Sequence, residues 1–195
     1  MVKILFATSN AGKVREARFA LAPLGIGVER VEVELREEQG ESVEEVARAK
    51  AIDAFEIVGR PVAVEDTGFF ITAFKGFPGV YSKPVMKAIG RSGILKLVDG
   101  TDGKAEFRTA VAFAKNRADV EIFSGAAAGR VADAAMGESA DSLPYDSLFI
   151  PAGARKTYAQ MGEGEKLSNS SRAVAFRKLG EFILSGKKTR GFELK

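Results

Sequence analysis

The chain opens with an apolar run that changes directly into a helical pattern, and this junction constrains the fold more than any other feature. Residues 2–8 are dominated by apolar side chains, which is typical of a strand buried on both faces of a sheet. After a polar turn at residues 9–12, apolar residues recur at helical spacing, at Val14, Ala17, Leu21 and Leu24. Pro23 and Gly25 are typical of a helix end. The chain therefore begins strand, loop, helix.

Predicted strands and helices continue to alternate along the chain. Strands are predicted at residues 28–35, 61–65, 106–114, 121–131 and 148–151, and residues 69–74 extend the third strand past a turn. Helices are predicted at about 42–58, 85–98 and 172–184, the first of these starting with a capping box of Ser42 and Glu45. The alternation predicts a mixed α/β fold. Because no internal repeat or linker is found, residues 1–195 are interpreted as one domain.

The composition excludes several kinds of site. The 195 residues include no cysteine and no histidine, so a disulfide framework, a thiolate metal site and a Ser-His-Asp triad are all excluded. Any metal must be bound by oxygen, which favours Mg²⁺ or Mn²⁺.

The charge and hydropathy patterns also narrow the range of partners. The net charge of +3 is spread along the chain, whereas a nucleic-acid binder usually shows a concentrated basic stripe. No apolar run approaches the ~20 residues that span a bilayer. The opening segment is interpreted as a strand and not as a signal peptide. We therefore expect a cytoplasmic protein with neither a membrane nor a nucleic acid as partner.

The first candidate site is the segment Thr8-Ser9-Asn10-Ala11-Gly12-Lys13. It lies between a buried strand and a helix N-terminus, where free backbone N–H groups and the helix dipole favour phosphate. Lys13 adds a cation. The segment is not a Walker A loop, because the first glycine and the Ser/Thr after the lysine are missing. An ordinary polar turn that caps a helix is the alternative.

Lys50 is the second candidate. At 100° per residue it falls at the centre of a helix face formed by apolar residues, namely Val43, Val46, Ala47, Ala54 and Ile57. A lysine there must either extend its ammonium to solvent or find an anion, because burial of an unpaired ammonium is costly. We predict a functional anionic partner.

The third candidate is Glu65-Asp66-Thr67-Gly68, interpreted as the end of an apolar strand followed by a glycine turn. Ligands of α/β sheets bind outside the carboxyl ends of strands. Neighbouring carboxylates can hold a hard cation or activate water there. Glu38, just before the second helix, can join them. A solvated acidic turn is the alternative.

The fourth candidate is a set of residues near the C-terminus: Leu143-Pro144-Tyr145-Asp146, Lys166 and Ser170-Ser171-Arg172. One serine can be a helix N-cap. Arg172 would lie in the first turn of the last helix, where the dipole disfavours a cation. An anionic ligand therefore explains its position better than helix stability does. Together, the four candidates offer carboxylates, cations and an anion site, which suits phosphoryl chemistry.

Six motifs in this order resemble the inosine triphosphate pyrophosphatase family. They are Thr-Ser-Asn-x-x-Lys at 8–13, Glu-Gln-Gly-Glu-Ser at 38–42 followed by Lys50-Ala51, Glu-Asp-Thr-Gly at 65–68, Gly-Phe-Pro-Gly-Val-Tyr-Ser at 76–82, Tyr-Asp at 145–146, and Lys166 with Ser-Ser-Arg at 170–172. The match is collinear from residue 4 to about residue 180.

The resemblance implies hydrolysis of inosine and xanthosine triphosphates, and of their deoxy forms, to the monophosphate and pyrophosphate. It also implies an elongated mixed sheet flanked by helices, two lobes with the active-site cleft between them, a Mg²⁺ or Mn²⁺ cofactor, and a homodimer.

Roles follow from the resemblance position by position. Asp66 would be the general base and a metal ligand, with Glu38 and Glu65 as further metal ligands. Lys50 would act at the reacting phosphates. The remaining residues would bind substrate, the phosphates by Thr8, Ser9, Asn10, Lys13 and Thr67, and the base and sugar by Leu143, Pro144, Tyr145, Asp146, Lys166, Ser171 and Arg172.

The chain departs from the family pattern mainly at the base end. Leu143-Pro144 stand where Phe-Gly is usual, Ser147 replaces a proline, and Ser171 replaces a histidine. Three alternatives stay open at this point: a Maf-type pyrophosphatase that acts on pyrimidine or modified nucleotides, a nucleotide-binding module without catalysis, and a nucleic-acid interaction protein.

Overall fold

A single mixed sheet organises the chain in the computed structural model, which describes residues 2–36, 40–138 and 144–186. Within these ranges the sheet has seven strands: β1 (Lys3–Ala7), β2 (Gly27–Val31), β3 (Val62–Ile71), β4 (Pro78–Gly79), β5 (Lys104–Ala114), β6 (Val120–Val131) and β7 (Phe149–Pro151). The α-helices are α1 (Ala11–Leu21), α2 (Val43–Val58), α3 (Ser82–Val98), α4 (Glu163–Asn169) and α5 (Ser171–Leu184). The predicted mixed α/β fold is confirmed. The predicted division into two lobes stays a prediction.

The sheet combines a parallel part with a longer antiparallel part. Its strand order is β2-β1-β3-β5-β6-β7, with β4 paired to β3. β1 is parallel to both of its neighbours, and the other pairs are antiparallel. β1 pairs with β3 at Phe6 and Ala63, so β3 continues beyond the carboxyl end of β1. This end of β1 is the edge at which ligands bind in α/β sheets.

The course of β3 corrects the predicted turn at Asp66-Thr67-Gly68. These residues lie in the middle of one unbroken strand, paired with β5 over its full length from Val62 to Ile71. Such a partner keeps the backbone extended through Gly68. A side chain at Gly68 would approach the Gly79 carbonyl oxygen to 2.7 Å, so the glycine permits close contact with β4 and makes no turn.

Three hydrophobic clusters pack against the sheet. One joins α1 and α5 to the face of β3 and β5 that carries Ala63 and Phe113. A second packs α2 on the opposite face. The third lies farther along the first face, around Phe69 and Phe107. Strand alternation places Glu65, Thr67 and Thr109 between the first and third clusters, so polar side chains separate two cores on one face.

Several predicted boundaries change for local reasons. β2 ends at Val31 and not at Leu35, because its partner β1 ends opposite that residue. α3 starts at Ser82 and is interrupted at Gly90, where φ is 62° and ψ is −174°. Ile57 was predicted on the buried face of α2 but is 54% exposed, and Ala51 is buried on that face. The short helix α4 was not predicted from the sequence.

Close packing between β6 and α5 leads to a prediction about Gly125. A Cβ there would lie 2.9 Å from the Ala175 nitrogen and would also meet the Ser171 carbonyl oxygen. We expect Gly125→Ala to lower the free energy of unfolding by at least about 2 kcal/mol, because the backbone atoms that the new Cβ would meet can move only at a high energetic cost. Urea denaturation measures the change. Gly162→Ala is the matched control, since no atom lies within 4 Å of its added Cβ. A loss of equal size in both variants would contradict the packing argument.

Candidate active site

The loop after β1 is held by its own polar groups. Asn10 is the N-cap of α1, and its Oδ1 accepts hydrogen bonds from the N–H groups of Gly12 at 2.8 Å and Lys13 at 3.2 Å. Asn10 N–H in turn donates to Thr8 Oγ1 at 3.2 Å. The expectation of free N–H groups is therefore wrong for Asn10, Gly12 and Lys13. Lys13 therefore offers its side chain to an anion, while its N–H group is bonded within the loop.

Two lysines reach adjacent carboxylates on opposite faces of β3. Lys13 Nζ, from α1, lies 2.7 Å from Glu65 Oε2. Lys50 Nζ, from α2, lies 2.7 Å from Asp66 Oδ1. The predicted anionic partner of Lys50 is thus found, and it is a carboxylate of the protein itself. The lysine side chains remain 22% and 17% exposed, respectively, so both can also face a ligand.

Glu65 is a buried anion that already has its counter-charges. Its side chain is fully buried, and Oε1 accepts hydrogen bonds from Arg172 Nε at 3.0 Å and from the Thr67 hydroxyl. Oε2 contacts Lys13 as an ion pair without hydrogen-bond alignment. Burial raises the pKa of Glu65, but Arg172 and Lys13 outweigh it and hold that pKa at about 2. Cations at both oxygens fit a structural anion and do not fit the predicted metal ligand.

Asp66 has a different environment from its neighbour. Its side chain is 14% exposed and pairs with Lys50. Burial raises the pKa of Asp66 above the ordinary value, although Lys50 opposes the shift. A partly exposed carboxylate with a raised pKa suits general base catalysis better than Glu65 does. Glu38, the other predicted metal ligand, lies outside the described residues.

Arg172 lies between two acidic side chains in the protein interior. Its guanidinium, only 4% exposed, contacts Glu16 Oε2 at 2.8 Å through Nη1 and Glu65 through Nε. The position of Arg172 in the first turn of α5 predicted an anionic ligand for it. The structure corrects that interpretation, because the anions that stabilise the cation in the first turn of α5 are carboxylates of the chain.

A second ion pair joins the predicted base-end residues. Lys166 Nζ lies 2.5 Å from Asp146 Oδ2 and 3.3 Å from Glu16 Oε1. Burial raises the pKa of Asp146, opposed by Lys166. Tyr145 is not available for stacking on a base, because it packs on Phe69 with ring centroids 4.6 Å apart and donates its hydroxyl to the Ser82 carbonyl.

Two predicted base-end residues, Leu143 and Pro144, make no contact with these pairs that the described residues show. Pro144 is exposed. Leu143 lies outside the described residues.

Two residues that the sequence analysis did not single out complete the site. Glu16 connects Arg172 with Lys166, and Thr109 links Thr67 to Ser171 through hydroxyl contacts of 2.7 and 2.8 Å. A weak signal existed for each, since Glu16 interrupts the apolar face of α1 and Thr109 takes an inward position in an apolar strand. Neither signal reveals a partner without the tertiary structure.

The base-end residues surround very little space. Glu16, Thr67, Asp146, Lys166 and Ser171 line a cavity of about 10 Å³ together with Phe107, Tyr158, Ser170 and Arg172. That volume is enough for about one water molecule. A larger groove of about 940 Å³ lies along the opposite face of β3, between Phe70, Tyr81 and Arg108. Asp66 and Gly68 share that face of β3 with Phe70, although neither lines the groove.

The fold and site define a mixed α/β protein with paired carboxylates and lysines at the carboxyl end of β1. The Ham1 family model matches residues 4–182, and the chain belongs to this family. A relative from Methanopyrus kandleri, named dITP/XTP pyrophosphatase, is 43% identical over 93% of this chain and 96% of its own. A relative of the same name from Thermococcus kodakarensis is 38% identical over 93% of this chain and 97% of its own.

Solved structures agree with the assignment of the fold. A HAM1 protein from Coxiella burnetii has a TM-score of 0.80 at 25% identity and covers 95% of this chain and 100% of its own. A structure from Mycobacterium abscessus described as a nucleoside-triphosphatase / dITP/XTP pyrophosphatase has a TM-score of 0.70 at 27% identity, covering 91% of this chain and 97% of its own. Across the described ranges, no helix has the length and apolar character needed to cross a membrane.

The pKa of Glu65 predicts a specific acid sensitivity. The carboxyl has a pKa near 4.5 when unfolded and about 2 when folded, so its stabilising contribution is present above pH 4.5 and is lost as the pH falls toward 2. The difference in unfolding free energy between wild type and Glu65→Gln should therefore grow by about 2 kcal/mol from pH 3 to pH 6. Urea denaturation at each pH measures it. Glu29→Gln, which removes an exposed carboxylate, is the control. A pH-independent difference for Glu65→Gln would refute the assignment.

Proposed function

We propose that this protein is a metal-dependent pyrophosphatase that hydrolyses inosine, deoxyinosine and xanthosine triphosphates to the monophosphate and pyrophosphate. Its role would be to remove non-standard purine nucleotides from the nucleotide pool. One observation carries the proposal: adjacent carboxylates at the carboxyl end of β1 face lysines from two different helices, in a chain of the Ham1 family. The names of the relatives support the substrate class.

A magnesium or manganese ion fits one part of this site. Carboxylate oxygens are ligands that Mg²⁺ prefers. Among the residues that the structure describes, no group of three metal-binding side chains occurs. Mg²⁺ commonly uses one or two carboxylates together with substrate phosphates and waters. Asp66 fits as such a ligand, with Glu38 as a second, whereas Glu65 is neutralised by its two cations. When bound, the ion would neutralise phosphate charge and help to activate water.

The chain's own residues supply the remaining chemistry. Asp66 accepts a proton from the attacking water, and its raised pKa strengthens it as a base. The water oxygen bonds to phosphorus, the anhydride bond between the α- and β-phosphates breaks, and pyrophosphate leaves. Lys50 and Lys13 stabilise the charge that develops on the phosphate oxygens. Thr8, Ser9 and Asn10 orient the phosphate chain beside Lys13, and Thr67 supports Glu65.

The base and sugar would bind on the side of Asp146, Lys166 and Ser171. Arg172 contributes indirectly, because its guanidinium is committed to Glu16 and Glu65. The cavity there is too small for a purine, so binding requires residues of its lining, which include Asp146 and Lys166, to move. Pro144 and Leu143 belong to the segment that would cover the base.

Our proposal extends to assembly and location. The resemblance to the inosine triphosphate pyrophosphatases implies a homodimer in the cytoplasm, with a nucleotide as ligand and with neither a nucleic acid nor a membrane as partner. Sedimentation equilibrium tests the dimer directly, and a purely monomeric species at micromolar concentration would remove that part of the proposal.

A substrate panel tests the proposed function. We expect pyrophosphate release with kcat/KM higher for ITP and XTP than for ATP, because the keto edge of these bases differs from adenine in its hydrogen-bonding groups. The measurement uses one protein preparation and one Mg²⁺ concentration for ITP, XTP, GTP, ATP and dTTP. Equal rates on all five would refute the purine assignment. A pyrimidine ranked first would support the Maf-type alternative.

Asp66→Asn tests the catalytic assignment. Activity should fall at least ~10²-fold, because the amide can neither accept the proton nor bind a cation as a carboxylate does. Activity of the wild type should also disappear in EDTA and return with Mg²⁺ or Mn²⁺. Asp53→Asn is the control, since Asp53 lies on α2 and pairs with Arg36. Circular dichroism confirms folding of each variant, and full turnover by folded Asp66→Asn would eliminate Asp66 as the base.

A further inference from the structure

Three hydroxyl groups form a continuous row from Glu65 to the base-end cavity. The Thr67 hydroxyl hydrogen-bonds to Glu65 Oε1. Thr109 Oγ1 lies 2.7 Å from Thr67 Oγ1, and Ser171 Oγ lies 2.8 Å from Thr109 Oγ1. Thr109 is fully buried, whereas Ser171 lines the cavity. The row therefore connects a buried ion pair with the side of the site where the base would bind.

The direction of the hydrogen bonds in this row is fixed at its inner end. Glu65 is an anion held between Lys13 and Arg172, so it can only accept. Thr67 must then donate its single hydroxyl proton to Glu65. Its oxygen also accepts a hydrogen bond from Arg172 Nη2 at 3.4 Å. Because a hydroxyl has one proton, Thr109 must donate to Thr67, and Ser171 must donate to Thr109. The Ser171 hydroxyl therefore presents only its lone pairs to the cavity and can only accept a hydrogen bond there.

We propose that Thr109 is a positioning residue that fixes the Ser171 hydroxyl as a hydrogen-bond acceptor toward the base, so that Ser171 selects purines with a protonated N1. The inference rests on the proposed function. Hypoxanthine, xanthine and guanine carry a hydrogen on N1, whereas adenine has a lone pair there. In the same pose, adenine would oppose its lone pair to that of Ser171, and such mismatches discriminate strongly. A serine free to rotate would donate to adenine N1 and lose this selectivity.

Thr109→Val is the direct test, since it keeps the shape of the side chain and removes its hydroxyl. The Ser171 proton is then released toward the cavity. We expect the ratio of kcat/KM for ITP to kcat/KM for ATP to fall about tenfold, mostly through a gain on ATP. Thr109→Ser restores the hydroxyl and should restore the wild-type ratio. A packing defect alone would lower kcat/KM for ITP and for ATP by the same factor and leave their ratio unchanged. That result would overturn the proposal.

A double-mutant cycle separates this role from a general effect on the site. Ser171→Ala removes the acceptor and should lower the ITP to ATP ratio by itself. Adding Thr109→Val to Ser171→Ala should then leave the ratio where Ser171→Ala put it, because the first change acts only through Ser171. If the two substitutions instead changed the ITP to ATP ratio independently, so that their effects multiplied in the double variant, the proposal would be overturned. Ser171→Ala alone decides the question if thermal unfolding shows that Thr109→Val does not fold, because an unchanged ratio would refute the selection.

The wild-type protein separates failure of this inference from failure of the proposed function. If the wild type releases no pyrophosphate from ITP, the proposed function and the role of Thr109 are both refuted. If the wild type prefers ITP over ATP while neither variant moves the ratio, the proposed function stands and the role of Thr109 is refuted.

Discussion

The arrangement of the site depends on one buried cation. Arg172 lies between Glu16 and Glu65 and so connects three elements, the helices α1 and α5 and the strand β3. These charges lie between two hydrophobic clusters on the same face of the sheet, where removal of one partner would leave an uncompensated ion in the interior. The arginine therefore fixes the positions of the polar residues that the two cores enclose, including the hydroxyl row that ends at Ser171.

The unbroken course of β3 gives two neighbouring carboxylates different chemistry. Side chains alternate along a strand, so Glu65 points to the face of α1 and α5 while Asp66 points to the face of α2. Glu65 is fully buried between cations and keeps a pKa of about 2, whereas burial raises that of Asp66. Environments that separate the pKa values of adjacent groups commonly accompany a division of roles. Here, Glu65 is held as a structural anion, and Asp66 is the carboxylate to which we assign proton transfer.

The sequence predicted the elements better than it predicted the contacts between them. Apolar periodicity located β1, α2, the β5–β6 pair and α5, because each of these buries one face or both. It failed at Gly68, where a glycine that permits close strand contact has the same local pattern as a turn. Lys50 and Asp66 could be singled out because charges interrupt apolar patterns. The partners of Arg172 could not be predicted, since Glu16 and Glu65 lie far from it in the chain and the α1–α5 contact is a property of tertiary packing.

The small cavity beside Ser171 has a consequence for the order of events in binding. A purine needs far more room than about 10 Å³, so under the proposed function the residues that line this cavity, Asp146 and Lys166 among them, must move before the base can enter. The triphosphate end needs no such opening, because Lys13 and Lys50 are already partly exposed. The observed affinity is then the intrinsic affinity reduced by the fraction of molecules that are open. If the proposed sites are correct, a nucleotide binds first through its phosphates, and its base contacts Ser171 only after the cavity has opened.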